Sequence, residues 1–371
     1  MNSVSINSVG VLQLTDSLAA GGTERVAVNL ANHLPRERFR SFLCTTRSGG
    51  PLANLLQPDV GWLNLSRRRR FDLSALWRLV AFIKANHIQV LHAHSTSLLT
   101  AALASLFPPY PRVVWHDHYG NHAQAERPVW VYRLLTQQAG GLIAVNQPLA
   151  DWAREQLRVP ATRIKYIPNF VALPDDGPAP SATLPGAPGQ RIICVANLRR
   201  QKDHLTLLRA LADVVKQAPQ AHLLLVGAMV EPECFAQVEH EITRLGLARN
   251  VSVLGERQDV AGLLRQCDIG VLSSASEGLP LALLEYGYAG LAAVATEVGQ
   301  CAEVLDSGSA GLLVPPGQPE ALATALLRLL QAPDLRAELS LCLSRRVLKH
   351  YSAHAVLERV CQVYEQVLQD D

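Results

Sequence analysis

The sequence predicts an α/β protein made of two doubly wound domains, and three observations lead to that expectation. Short apolar runs of β type alternate with longer segments of helical spacing along the chain. The short runs are continuously apolar rather than alternating, as parallel strands covered by helices on both faces should be. The rhythm breaks once, at residues 168–190, "PNFVALPDDGPAPSATLPGAPGQ", where Pro and Gly are dense and hydrophobic periodicity disappears. With 371 residues, 49% of them hydrophobic, the chain can bury two cores. The expected organisation is a first domain over 1–167, a linker over 168–190, a second domain over 191–350 and a closing helix over 351–371. Open sheets of this kind bind ligands at the carboxyl ends of their strands, so two such domains facing across a cleft would hold the chemistry there.

In the first half the expected strands are "VGVLQL" (9–14), "SFLCTT" (41–46), "IQVLHAH" (88–94), "RVVWHDH" (112–118) and "GLIAVN" (141–146). In the second they are "RIICVA" (191–196), "HLLLVG" (222–227), "NVSVLG" (250–255), "DIGVLSS" (268–274), "LAAVAT" (291–296) and "GLLVP" (311–315). Helical spacing marks Thr23–Leu34, Leu73–Asn86, Leu205–Gln217 and Glu320–Leu330 between them. After Pro333 the pattern turns helical, and Tyr351–Leu368 carries Val356, Val360, Val363 and Val367 on one stripe that must pack on something.

The balance of 34 basic against 32 acidic residues, net +2, gives no global argument for nucleic acid, so an anionic partner has to be met by a local site. Seven scattered cysteines fit neither a disulfide framework nor paired zinc spacing, and a reducing cytoplasm is the natural compartment. "MNSVSINSVGVLQLTDSL" lacks the basic region and long apolar core of a secretory signal. The longest apolar candidate, Leu98–Phe107, is about half of the ~20 residues a spanning helix needs.

Several motifs fall at strand ends. Gly21-Gly22 follows the first strand and opens a helix with Val26, Leu30 and Leu34 on one face. Such a pair lets a ligand approach the backbone, and free N–H groups at a helix start attract phosphate. It is not GxGxxG, so the hydride-transfer fingerprint is absent, and the bland account is a simple turn. His92-Ala-His94 and His116-Asp-His118 end two strands. Four histidines suit zinc only if they converge, and no HExxH helix is present, so the expectation is no metal and a polar cleft contact from His116.

The second domain opens with "VANLRRQKDHLTLLRAL", which puts Arg199, Arg200 and Lys202 between strand and helix, where cations can meet a diphosphate. A solvated basic loop is the competing account. Arg67, Arg68, Arg69 and Arg70 precede an apolar helix, which reads either as a solvated entry to a core helix or as contact with an anionic membrane surface.

The stretch "SEGLPLALLE" sets Glu277 just before a helix whose first turn suits Pro280, and Glu285 within it. Eight residues at helical rise put the two carboxylates about 12 Å apart. That is too far for a glycosidase-type acid/base pair, at roughly 5–9.5 Å, so they would grip two ends of one elongated ligand. The N–H groups of Gly278, Leu279 and Leu281 would serve its anionic middle.

With these residues in view, the sequence resembles the retaining, nucleotide-sugar-dependent glycosyltransferases of family 4, which have the GT-B fold of two Rossmann-like domains. The resemblance rests on the Glu-x7-Glu run from Glu277 to Glu285, "GGTERVAVNLANHL", "IPNFV", "NLRRQKDH", "LGLARNVSVLG", "CDIGVLSSASEGLPLALLE" and "GLLVPPG", and covers nearly the whole chain. It implies that Glu285 binds the nucleotide ribose and Glu277 the transferred sugar. Lys202, with Arg199 or Arg200, would neutralise the diphosphate, Gly22 would face the diphosphate or acceptor with its backbone N–H, and His116 would lie in the cleft near the donor sugar. It further implies a metal-independent hexosyltransferase without cofactor, taking a UDP- or GDP-sugar and a saccharide or lipid-linked acceptor in polysaccharide or glycolipid synthesis. Its place would be cytoplasmic, or peripheral on the inner face of the membrane, and its final helix would return to the first domain. Where the family often has Gly-Arg-Leu, this chain has Ala196-Asn197-Leu198, and Tyr286-Gly287-Tyr288 stands where small residues or methionine are usual. Two alternatives stay open: a sugar-nucleotide epimerase of the same fold, which needs no acceptor, and a non-catalytic nucleotide-sugar binding module, which releases no nucleoside diphosphate.

Overall fold

The computed structural model describes residues 8–19, 21–67, 69, 72–118, 127–170 and 184–369. The chain forms two compact units, Met1–Phe170 with Ala353–Asp371, and Val171–Ser352. The part of the expected linker from 171 to 183 lies outside the described residues.

The first unit runs β1 (Val9–Thr15), α1 (Gly22–His33), β2 (Phe39–Thr45), β3 (Gly61–Asn64), α2 (Leu73–Ala85), β4 (Ile88–His94), α3 (Leu98–Ala104), β5 (Arg112–Asp117), α4 (Val129–Leu135), β6 (Ala139–Ala144), α5 (Gln147–Glu155) and β7 (Ile164–Tyr166). The second runs β8 (Arg191–Val195), α6 (His204–Gln217), β9 (His222–Val226), α7 (Pro232–Arg244), β10 (Val251–Gly255), α8 (Val260–Leu264), β11 (Ile269–Leu272), α9 (Leu281–Ala289), β12 (Ala292–Thr296), α10 (Cys301–Val304), β13 (Leu312–Val314), α11 (Pro319–Gln331) and α12 (Pro333–His350). The last helix, α13 (Ala353–Gln369), belongs to the first unit.

Among the described residues the first sheet has the order β3-β2-β1-β4-β5-β6-β7 and the second β10-β9-β8-β11-β12-β13. Their strand pairs are parallel. Each order reverses direction once, between β1 and β4 and between β8 and β11, which makes those two places the topological switch points.

The sequence reading missed β3 and β7. Both lie at the edges of the first sheet, and their half-exposed side chains offer no continuous apolar run to detect. At the other strands the expected runs hold to within a residue or two of the observed ends. Pro280 sits one position outside α9 as its N-cap rather than in its first turn, so Gly278 and Leu279 belong to the preceding bend and only Leu281 opens the helix.

In the first sheet one face carries Leu12, Leu14, Leu91, Ala93, Val113 and Trp115, buried against Leu79, Ile83, Leu98 and Leu149. Because side chains alternate along a strand, Gln13, His92, His94 and His116 occupy the other face. Helix α13 covers it, with Val356, Val360, Val363 and Val367 buried as the stripe predicts, each side chain worth about 1.5–3 kcal/mol. Two glycines of β6 permit the close approach: a Cβ at Gly141 would lie 3.0 Å from Val363, and one at Gly140 would lie 3.3 Å from Val367.

In the second unit the strands β8 and β11 pair only at Ile192 and Ile193. Beyond that point the Tyr286 hydroxyl takes the place of a ladder bond, accepting from Val195 N–H (2.9 Å) and donating to Val271 C=O (3.0 Å). The ring is fully buried, and Gly270 makes room for it, since a Cβ there would lie 2.3 Å from the ring. The large residue at this position therefore fills a parted switch point.

Candidate active site

The second switch point brings two loops together. The loop after β8 ends in a short turn, Arg200–Lys202, and Asp203 stops it with φ of 46° while its carboxylate accepts from Thr206 N at 3.2 Å to cap α6. The loop after β11 holds Ser273, Ser274 and Glu277. Ser273 Oγ donates to the Lys202 carbonyl (2.9 Å), Ala275 N to the Gln201 carbonyl (2.8 Å), and the Gln201 amide to the Ser276 carbonyl (2.7 Å). Across this stitching Lys202 Nζ donates to Glu277 Oε1 at 2.6 Å, and Ser274 Oγ donates to the same oxygen at 2.5 Å.

The Glu277 side chain is 7% exposed and that of Lys202 22%, so the pair is partly desolvated, and removing the lysine would leave a largely buried carboxylate without its cation. The β12 end holds the loop from the other side. Thr296 Oγ1 donates to the Ser274 carbonyl (2.7 Å), and Gln300 N donates to the Gly278 carbonyl (3.0 Å). Gly299, at φ of 52°, passes so close that a Cβ would lie 2.2 Å from the Glu277 carbonyl oxygen.

Of the other residues expected here, Glu285 is half-buried in α9. Arg199 is exposed, and Arg200 faces away toward α7, its backbone N–H on the Glu231 carboxylate (3.1 Å) and its guanidinium 3.7 Å from Glu233. His204, buried behind Lys202, has neither ring nitrogen hydrogen-bonded and is pushed down to about 4 by burial and by the lysine.

In the first unit Gly21 caps α1 in extended conformation and Gly22 is its first residue, with open space where a Cβ would be. A Glu24 carboxylate oxygen lies 2.2 Å from where a Gly21 Cβ would stand, so this helix start already has a carboxylate of its own beside it. Arg67 is 11% exposed and turned toward Asp16 at 3.9 Å, while Arg69 is exposed; Arg68 and Arg70 lie outside the described residues.

His116 sits in a buried polar cluster. Register sets Gln13 beside His92 and His94 beside His116, and His92 and His94 stack with centroids 4.6 Å apart and planes at 2°. Hydrogen bonds join Gln13 Nε2 to Tyr364 Oη (3.1 Å), Tyr364 Oη to His92 Nδ1 (2.5 Å) and His92 Nε2 to His116 Nδ1 (3.0 Å). A second branch joins Gln13 Oε1 to His94 Nε2 (2.9 Å) and His94 Nδ1 to His118 Nε2 (2.8 Å). Burial pushes His92 and His118 down to about 3 and holds His94 and His116 well below the usual imidazole range, so the rings are neutral at neutral pH. Nitrogens of His92, His94 and His116 lie within 4.8 Å of one another, yet the lone pairs of two parallel stacked rings point along parallel planes rather than at one ion.

Two family models match the chain: "Glycosyltransferase Family 4" over residues 20–173 and "Glycosyl transferases group 1" over residues 189–332. The chain belongs to glycosyltransferase family 4. The two Rossmann-like sheets of this family 4 glycosyltransferase are those of the GT-B fold. It is 27% identical over 365 residues to a phosphatidyl-myo-inositol mannosyltransferase of Mycolicibacterium smegmatis, a match that spans 96% of this chain and 89% of that one. It is 28% identical over 180 residues to an N-acetyl-alpha-D-glucosaminyl L-malate synthase of Bacillus anthracis, spanning 48% of this chain and just 46% of that one. Among solved structures, a Rickettsia africae glycosyltransferase superposes with TM-score 0.83 at 18% identity, over 98% of this chain and all of the other. An Anabaena protein in complex with UDP and glucose gives 0.78 at 22% identity, over 96% and 99% of the two chains. At these identities the likeness is one of fold.

For this family 4 glycosyltransferase the sequence reading picked out Glu277, Lys202 and His116 but missed the groups that hold them. Ser274 and Thr296 carry no motif of their own, though a serine three residues before a buried glutamate was a visible signal. Gln13 and Tyr364 lie 351 residues apart and gave none.

Proposed function

We propose that this glycosyltransferase moves a hexosyl group, with retention of configuration, from a nucleoside-diphosphate sugar to a saccharide or lipid-linked acceptor, without a metal. The single observation that carries the reading is the Lys202–Glu277–Ser274 arrangement at the second switch point, a cation and a carboxylate held together where such sheets bind nucleotides. Lys202 exchanges Glu277 for the diphosphate, and its charge, with that of Arg199, balances what develops as the sugar–phosphate bond breaks. Glu277, still held by Ser274, accepts hydrogen bonds from sugar hydroxyls, while Glu285 takes the ribose. Backbone N–H groups from Gly278 to Leu281 serve the phosphates, and in the first unit the start of α1 at Gly21-Gly22 offers its N–H groups to the acceptor. His116 offers a neutral ring to the sugar, and the leaving phosphate itself receives the acceptor proton.

UDP is the nucleotide this reading favours, because the Anabaena neighbour of the same fold was solved with UDP. A lipid-linked acceptor is supported by the surface: Leu73 and Trp77 of α2 and Trp130 and Leu134 of α4 are exposed large apolar side chains, and α3 touches both helices. With Arg69 they would form the membrane-facing rim.

The experiment is nucleoside-diphosphate release from candidate donors, with acceptor lipid in anionic or neutral vesicles, by the protein and by Lys202→Ala and Glu277→Ala. Each substitution is expected to lower turnover by about 100-fold or more. Full turnover in both variants refutes the site. Sugar conversion without acceptor favours the epimerase instead.

A further inference from the structure

We propose that Gln13, acting through Tyr364 and His92, fixes His116 in the tautomer that carries its proton on Nε2, so that this histidine is an obligate hydrogen-bond donor and never a base. The protons along the chain of contacts can be placed one by one. An amide nitrogen only donates and an amide oxygen only accepts. Gln13 Nε2 therefore donates to Tyr364 Oη, and the buried tyrosine proton, which has no other acceptor among the described residues, goes to His92 Nδ1. With Nδ1 accepting, neutral His92 bears its proton on Nε2 and donates it to His116 Nδ1. His116 then holds its own proton on Nε2, the nitrogen that is buried with no hydrogen-bond partner.

The other end of the amide sets the second branch by the same logic. Gln13 Oε1 accepts from His94 Nε2, so His94 Nδ1 is bare and accepts from His118 Nε2. One amide thus commits four imidazoles to the Nε2–H form, and reversing it would convert all four together. Their neutrality, which the counting requires, follows from burial.

A buried N–H without a partner is the group that an oxygen of a bound ligand would satisfy. The reading that this ligand is the donor sugar rests on the proposed function; the tautomer itself does not. Gln13 and Tyr364 are positioning residues, and α13 carries one of them from the far end of the chain.

The test is nitrogen NMR of the full chain labelled with ¹⁵N-histidine, with transfer kinetics beside it. His116 is expected to show a protonated Nε2 and a bare Nδ1. In Tyr364→Phe its two nitrogen shifts should move toward each other while those of His94 and His118 stay, and turnover should fall about tenfold with donor KM changed less than about threefold. Gln13→Met should release both branches. Protonation of His116 on Nδ1 in the unmodified protein, which needs no variant to fold, overturns the proposal, as does a His116 spectrum unmoved by Tyr364→Phe. If the spectra change as expected and turnover does not, tautomer control stands and the role of His116 in transfer fails.

Discussion

At the scale of single residues, the second-unit site depends on one oxygen. Glu277 Oε1 accepts from both Lys202 and Ser274, so loss of either donor leaves the other to hold a largely buried carboxylate. A hydrogen bond to a charged group is worth about 1.5–3 kcal/mol. Ser274→Ala is therefore expected to raise donor KM or lower turnover by about tenfold or more, while the Lys202 pair keeps the loop in place. Unchanged kinetics in that variant would mean that Lys202 alone orients Glu277. Both charged residues stood out in the sequence because their neighbours form recognisable runs. Their pairing did not, since 75 residues separate them and only adjacency of β8 and β11 brings them together.

At the scale of elements, the parting of β8 and β11 is what lets a tyrosine hydroxyl enter the sheet. Tyr286 satisfies a strand N–H and a strand C=O that would otherwise lie unpaired next to the loops that carry Lys202 and Glu277. Removing the hydroxyl in Tyr286→Phe should cost about 1–3 kcal/mol, because both backbone groups lose their partner while the ring still fills the space. A urea midpoint that does not move would show that the strands close over the gap. In the sequence Tyr286 stood out only as a large residue where small ones or methionine are usual. Its side chain completes the switch point, a role set by Gly270 opposite and invisible along one helix.

At the scale of the whole molecule, the buried histidines tie stability to pH. The His92 and His118 rings are neutral when folded down to about pH 3, and His204 down to about 4, whereas an unfolded imidazole takes up a proton below about 6.5. The unfolded chain thus binds more protons in that window. Their contribution is fully present above about 6.5 and falls as pH drops, by about 1.4 kcal/mol per unit for each ring. Burial of His94 and His116 adds in the same direction. Glu241, held near 2 by Arg244 and Arg209, loses its contribution only below the ordinary carboxylate range, so the slope between about pH 6.5 and 4.5 belongs to the histidines. Urea midpoints that stay level over that interval would contradict the burial of the cluster. By itself the sequence determined the doubly wound α/β class and the valine stripe of the last helix, and it marked the Pro- and Gly-rich break near residue 168 and the charged residues of the second unit's loops. Those features are local, written in periodicity, turn chemistry and contiguous motifs. Only the tertiary structure decided which strands are neighbours, that the valine stripe covers the histidine face of the first sheet, and that Gln13, Tyr364 and His116 form one network. Such contacts join residues hundreds of positions apart, and strand order and helix docking, which no local pattern encodes, are what bring them within hydrogen-bond reach.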